Sequence, residues 1–489
     1  MTTKSEYEII IIGGGFSGIA AAVNLQKKDI HDFLIIERDE EIGGTWWRNS
    51  YPGAAVDVQS QLYSFSFEPY DWTRLFAFQP EILDYTRHVI DKYSIEKYTI
   101  TNSSVDGLEY LDDEHKWKVK LEDGREYKSK IIINASGVLS QPSIPAFEGL
   151  ENFTGKIMHT SRWDHSYDHK GKKVAVIGSG ASAVQTCPAI ADDVEQLYIF
   201  QRNAHWILPR PDRVLNSIER KINRGSSFIY SLYRSFVYWF LEVRVLAFSK
   251  IPSAMKIGPQ RMAMRFIKKE IEDEELRALL IPDYTIGCKR ILLSSDYYKT
   301  LVKDNVTLIA GDNGIKKFHE NSIETTDGEI IEIDCVVLAT GFKASENNIV
   351  YEVKGRDGVT LNETWENGAH AYLGTTVPSF PNFFLLAGPN TGTGHTSAIF
   401  MIEAQLEYIM KAISKLNSNG CKSIEVKQQT EERFNKWLKK ELKNTVWQSG
   451  GCRSWYQNSK GDNTVIWPDY TFRFLSKCKN FKESDHLIS

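Results

Sequence analysis

Two glycine clusters, each set between a β-branched run and an alanine-rich run, restrict this chain more than any other feature. EIIIIGGGFSGIAAAVNL, starting at Glu8, and KKVAVIGSGASAVQTCPAI, starting at Lys172, each read as strand, tight turn and helix. Their first glycines, Gly13 and Gly178, stand 165 residues apart, a domain-sized interval, so two nucleotide-type folds are expected in one chain. Gly13, Gly15 and Gly18 keep the G-x-G-x-x-G spacing: one glycine for the turn, one for close approach to a pyrophosphate, one for packing helix on strand. In the second cluster Gly178 and Gly180 keep their places and Ala183 takes the third, a side chain small enough for the same packing. After each turn a helix N-terminus offers free N–H groups and the positive end of its dipole to phosphates.

The two loops differ in the charge that follows them. HDFLIIERDE carries Glu37, 24 residues after Gly13, where a carboxylate accepts hydrogen bonds from ribose hydroxyls; FAD or NAD is expected there. The same count from Gly178 reaches Arg202 in LYIFQRNAHW, and a guanidinium at that place suits a 2′-phosphate, which makes NADPH the expected second ligand. The small-residue turns NASG (Asn134 to Gly137) and ATG (Ala339, Thr340, Gly341) complete the pattern. One flavin domain interrupted by one nicotinamide domain is the plan of enzymes that pass hydride from NAD(P)H to FAD. Those that go on to reduce disulfides need a C-x-x-C or C-x-x-x-x-C pair, and this sequence has none, which leaves oxygen as the expected acceptor.

The rest of the sequence sets limits. A chain of 489 residues exceeds what one core serves, and SQPSIPAFEGL, with Pro142 and Pro145, reads as an extended connector. The expected α/β architecture has two Rossmann-like dinucleotide-binding domains: residues 1–143 and 331–489 for FAD, 144–214 and 281–330 for NADPH, with a helical insert at 215–280. A net charge of −4 with interspersed signs carries no nucleic-acid footprint. Six scattered cysteines, at 187, 288, 335, 421, 452 and 478, have no zinc-type spacing, so no metal is expected, and a reducing cytoplasm fits them best. The apolar start ends at glycines after four isoleucines instead of forming a secretory core. FIYSLYRSFVYWFLEVRVLAF, Phe228 to Phe248, contains Arg234, Glu242 and Arg244, so it fails as a lipid-spanning helix. It reads as an aromatic-rich packed helix, with peripheral membrane contact as the less favoured reading.

Three further segments sharpen the chemistry. FTGKIMHTSRWD resembles the fingerprint F-x-G-x-x-x-H-x-x-x-W-P/D of the type I Baeyer-Villiger monooxygenases, with Phe153, Gly155, His159, Trp163 and Asp164 in the defined places. Tryptophan at 163, where sister S- and N-oxygenating families typically carry Tyr or Phe, favours the Baeyer-Villiger branch. GGTWWRNSYPGAAVD is similar to a second family pattern through Gly44, Trp46, Tyr51, Pro52, Gly53 and Asp57, with Thr45 counted among the expected cofactor contacts. GCKR, Gly287 to Arg290, resembles the segment that carries the family's essential arginine. By that match Lys289 would join Arg202 at the 2′-phosphate and Arg290 would stand over the flavin. The stretch Ala54, Ala55, Val56 departs from relatives that carry an arginine there, and the C-terminal GGCRSWYQNSKGDNTVIWPDY resembles only some subgroups.

The resemblance implies that NADPH reduces FAD, oxygen adds at flavin C4a, and the peroxide attacks a ketone carbonyl to give an ester or lactone. Arg290 would stabilise the anionic oxygen and Asp57 would hold Arg290 in place. His159 and Trp163 are candidates for coupling hinge movement to the chemistry. A helix beginning at Ser397 would aim its dipole at the flavin, with His395 and Thr396 nearby. Aromatic content points to an apolar or aryl ketone. The alternatives are oxygenation of sulfur or nitrogen, and, in another class, a flavin-binding sensor or scaffold without turnover.

Overall fold

In the computed structural model, residues 4–225, 227–344, 349–418 and 420–489 are described. The four isoleucines that open the chain form the inner part of the strand Glu6–Ile12, and Ile9, Ile10 and Ile11 are fully buried. Burial on both faces is what a continuous β-branched run requires, and it places this strand in the middle of a parallel array. Glu6–Ile12 pairs in parallel with Phe33–Ile36 on one side and Glu126–Asn134 on the other. The sheet continues to Thr99–Ile100 at one edge and, on the other side, through the antiparallel strands Lys116–Leu121 and Val105–Leu111 to Glu352–Lys354 at the far edge, with Phe383–Leu385 also pairing to Glu126–Asn134. The helix Phe16–Gln26 covers one face, and the 19-residue helix Ala398–Leu416 packs against it.

A second, wholly parallel sheet runs in the order Val306–Ala310, Gln196–Gln201, Lys173–Ile177, Cys335–Leu338, Lys156–His159. The fold is thus α/β with two dinucleotide-type sheets. One boundary differs from expectation. The strand Cys335–Leu338 hydrogen-bonds inside the second sheet, so the return to the first domain comes after Leu338 and not at 331. Its four buried residues need neighbours on both sides, and Lys173–Ile177 and Lys156–His159 supply them. The outgoing and returning connectors run side by side: Ser143 N–H donates to Gly341 O (2.8 Å) and Lys343 N–H to Gln141 O (3.0 Å). The fingerprint FTGKIMHTSRWD supplies Lys156–His159, the edge strand of the second sheet, within the span expected for the second domain.

Between Ser217 and Leu280 the chain is helical, in segments Ser217–Arg224, Ser227–Glu242, Ser253–Ile257, Pro259–Glu270 and Glu274–Leu280. The expectation of a packed helix at 228–248 holds for one face only. Tyr230, Val237, Tyr238 and Leu241 are buried, the last three in a cluster with Val58 and Leu62, whereas Phe228, Phe236, Trp239 and Phe240 lie exposed. A helix apolar all round gives no sequence signal as to which arc is covered. Among the described residues no helix is long and apolar enough to cross a membrane.

Candidate active site

The first glycine loop has the geometry of a pyrophosphate cradle. Gly13 adopts φ +104°, and a Cβ there would meet Ala135 O at 2.6 Å; a Cβ on Gly18 would strike Gly13 O at 1.9 Å. Any side chain at either position would push the helix Phe16–Gln26 off the sheet. Gly15 caps that helix with no side-chain acceptor, so its first-turn N–H groups stay available for an anion. Gly44, at φ +56°, brings its own Cα against Gly15, where a Cβ would approach to 2.7 Å, and so seats the Thr45–Arg48 turn over the cradle. Glu37 ends its strand buried, accepting from Gly14 N–H (2.6 Å) and Asp39 N–H (2.9 Å). Burial pushes its carboxyl up, and those two N–H groups oppose the shift.

The second loop repeats the geometry with the opposite charge. Gly178 lies at φ +120° with a would-be Cβ 2.4 Å from Ala339 O, and Ala183 is fully buried against the sheet. Gly180 caps Ala181–Ile190 without a side-chain acceptor, and a Cβ there would meet nothing within 4 Å. Arg202 is exposed and Lys289 lies close enough to feel its charge; neither has a carboxylate partner among the described residues. Burial first, and Arg202 second, lower the Lys289 ammonium pKa, while Lys289 packs its Nζ 4.9 Å over the Tyr284 ring. Two cations side by side, with only the more distant charge of Asp283 to offset Lys289, are costly alone and favourable around a dianion. His205 joins them: burial, then Lys289, pushes it down to about 4, and its Nδ1 has no partner. Sequence reasoning passed over His205, which differs from Arg202 and Lys289 in having no motif position. These residues fit a phosphorylated ribose, and the first loop fits a dinucleotide with free ribose hydroxyls.

Between the two loops, Arg290 and Asp57 come together across 233 residues of sequence. Nε and Nη2 of Arg290 both donate to the Asp57 carboxylate, the second at 2.5 Å. Burial alone would raise the Asp57 carboxyl, but the Arg290 charge and hydrogen bonds more than reverse it, and Asp57 in turn keeps Arg290 fully protonated. Gly53 sets this meeting. Its φ is +81°, and a Cβ would sit 2.4 Å from Gln185 O on the helix Ala181–Ile190, so the loop carrying Asp57 rests directly on the second domain. Tyr51 O–H donates to Gln185 Oε1 (2.8 Å), and Gln185 Nε2 donates back to Ala55 O (3.0 Å). Trp46 Nε1 donates to the Tyr63 hydroxyl (3.2 Å), which burial pushes up to about 12 and which feels both Asp57 and Arg290. Tyr456, likewise pushed up to about 12 by burial, also interacts with Arg290. Neither tyrosine was singled out by sequence; nothing local marks a residue whose role is set by a neighbour hundreds of positions away.

The fingerprint residues do not converge on this pair. His159 is buried; its Nδ1 accepts from Ser161 N–H (3.1 Å), and Nε2 faces the Gly341 backbone without a hydrogen bond. Trp163 packs in the cluster that holds Tyr51 and Ala54, so it joins the strand Lys156–His159 to the Asp57 loop. Phe153 lies 6.0 Å from Phe318, and Gly155 allows that ring to fold back, since a Cβ would meet it at 2.4 Å. Asp164 ion-pairs with Lys156 and accepts from Ser166 N–H and O–H, which together hold its carboxyl well below the ordinary range. Thr340 donates to Ser143 O (2.5 Å) where the connectors meet, and Gly341 follows at φ +80°. His395 turns toward the helical insert, with Nε2 3.2 Å from Glu242 Oε2; Thr396 is buried, with no partner for its hydroxyl.

Two of the six scattered cysteines are paired. Cys288 and Cys452 form a disulfide spanning 164 residues, which ties the segment preceding Lys289 and Arg290 to the loop that carries Tyr456. Spacing in sequence carries no information on a pair brought together by tertiary folding.

Comparison with known proteins gives consistent matches. The family described as "Pyridine nucleotide-disulphide oxidoreductase" matches residues 10–224. A "Baeyer-Villiger monooxygenase" of Pseudomonas aeruginosa is 44% identical over 484 residues, 99% of this chain and 91% of that protein. One of the same name from Streptomyces coelicolor is 40% identical over 98% of this chain and 92% of its own length. Among solved structures, an oxidized steroid monooxygenase bound to NADP superposes with TM-score 0.89 at 29% identity, covering 99% of both chains. A cyclohexanone monooxygenase from Rhodococcus sp. Phi1 bound to NADP+ does so with TM-score 0.90 at 26% identity, covering 100% of both.

Proposed function

The chain belongs to the Baeyer-Villiger monooxygenases, FAD- and NADPH-dependent enzymes, and on that premise we propose that it converts an apolar or aryl ketone to an ester or lactone with Arg290 as the catalytic cation. When bound, FAD reduced by NADPH supplies the oxygen-activating chemistry. This chain's own residues supply placement and charge. Asp57 takes the Nε and Nη2 edge of Arg290, which leaves the Nη1 hydrogens to donate to an anionic oxygen at the reacting carbon. A guanidinium that never loses its proton can stabilise that charge without taking part in proton transfer, and Asp57, whose carboxyl the Arg290 charge holds below its ordinary value, fixes its direction. Tyr63, Trp46 and Tyr456 give the site an aromatic wall, which supports an apolar or aryl substrate and keeps water away from the reacting oxygen.

The two glycine loops take the pyrophosphates. Glu37 accepts from the FAD ribose, and Arg202, Lys289 and His205 surround the NADPH 2′-phosphate. The observation that carries the reading is the Asp57–Arg290 pair held between the two dinucleotide folds. Its test mixes the flavin-loaded protein with NADPH, oxygen and a panel of ketones and sulfides, following substrate-dependent NADPH loss and products. Esters from apolar ketones are the expected result; turnover confined to sulfides and amines would refute it.

A further inference from the structure

The helix Ser227–Glu242 is apolar on two opposite faces, and only one of them is covered. Tyr230, Val237, Tyr238 and Leu241 are buried toward the body of the protein. On the other side Phe228, Leu232, Phe236, Trp239, Phe240 and the following Val243 are each at least 52% exposed. At 100° per residue these six fall within an arc of about 120°. The strip does not stop at the helix, because the Trp239 ring lies 5.7 Å from that of Phe472, itself partly exposed. Scattered apolar residues on a surface need no explanation, but a continuous aromatic strip of this kind marks a contact.

Charge identifies the contact. The chain as a whole carries −4, yet residues 217–270 hold eleven Lys and Arg against three Glu. Five of the eleven cations are themselves paired, Arg220 and Arg224 with Asp71, Arg234 with Glu403, Lys250 with Glu441 and Lys269 with Glu270; of the acids, Glu219 is paired with Arg213 and Glu242 is fully buried. Lys221 precedes the helix, and Arg244 and Lys256 follow it, all exposed and without an ion-pair partner among the described residues. Self-association through this strip would set basic ends against basic ends, whichever way two copies are related, which argues against a second copy as occupant. Aromatic and aliphatic side chains flanked by unpaired cations are what an interfacial helix presents to a membrane of anionic lipids.

We propose that the outer face of Ser227–Glu242 docks the protein on the surface of an anionic phospholipid bilayer, with the Phe and Trp side chains in the acyl boundary and Lys221, Arg244 and Lys256 at the headgroups. The helix lies in the plane of the surface and spans nothing. Its inner face rests on Val58 and Leu62, which follow Asp57 in the chain.

The test uses the flavin-loaded protein and vesicles of phosphatidylcholine with or without 30% phosphatidylglycerol. Co-sedimentation should be strong with the anionic vesicles and fall roughly tenfold in pure phosphatidylcholine or at high salt. The double variant Phe236→Ser/Phe240→Ser should lose on the order of a hundredfold in partition while keeping its flavin and melting temperature. Brominated lipids should quench part of the tryptophan emission of the natural protein, and Trp239→Phe should remove that part. No sedimentation of the natural protein with either vesicle would overturn the proposal, including the case in which size measurement shows a dimer that the double variant disperses. Equal sedimentation of the natural protein and the double variant would overturn it as well.

Discussion

Replacing Lys289 by alanine should penalise NADPH and spare NADH. Lys289 and Arg202 stand near each other, and burial followed by the Arg202 charge lowers the Lys289 pKa, with Asp283 opposing the shift. A charge-assisted contact to a phosphate contributes about 1.5–3 kcal/mol when partly desolvated, so Lys289→Ala should raise the KM for NADPH by about 10- to 150-fold. Arg202 is more exposed, and its removal should cost less, on the order of 1 kcal/mol or about fivefold. The double variant should lose less than the sum, since part of each single effect is relief of repulsion that exists only while both cations are present. The same repulsion gives a second expectation: without NADPH, Lys289→Ala should melt no lower than the natural protein. The assay is anaerobic flavin reduction followed by stopped-flow absorbance across NADPH and NADH concentrations. Equal losses for both cofactors, or none for either, would refute the assignment.

Gly53→Ala should place a Cβ against the Gln185 carbonyl in a left-handed backbone, costing about 1–3 kcal/mol and slowing ester formation more than flavin reduction, as read by melting and product assays. Cys452→Ser should lower stability by about 2–5 kcal/mol on the entropy of a 164-residue loop, and a reducing agent should shift the natural protein's melting equally; no shift in either case would show that the bridge does not form in solution. Burial, and after it the Lys289 charge, push the His205 imidazole from 6.5 down to about 4. The unfolded chain therefore binds a proton that the folded one refuses, so stability is full above pH 6.5 and falls by up to about 3 kcal/mol as pH drops toward 4. His205→Gln should flatten that slope in denaturant titrations.

The parts of the site that were legible in sequence are those whose chemistry is local. Four isoleucines before Gly13 can only be a strand buried on both faces, and the charge reversal from Glu37 to Arg202 follows from counting along two repeats of one motif. Asp57 and Arg290 were paired only through resemblance, and the fold brings them into contact through a loop seated by Gly53. What stayed hidden depends on tertiary placement. Cys288 and Cys452 meet because the C-terminal loop returns to Arg290. Tyr63, Tyr456 and His205 acquire their perturbed ionisation from burial that no spacing reveals. The helix Ser227–Glu242 has aromatic residues on every side, so its composition could not tell the packed arc from the bare one.

The most direct measurement supplies the flavin-loaded enzyme with NADPH, an apolar ketone and oxygen-18 gas, and reads the mass of the product for the natural protein and for Arg290→Ala. The natural protein should yield an ester carrying one heavy oxygen, and Arg290→Ala should still oxidise NADPH while forming none. Labelled ester from Arg290→Ala at the natural rate would contradict the role given to the guanidinium held by Asp57.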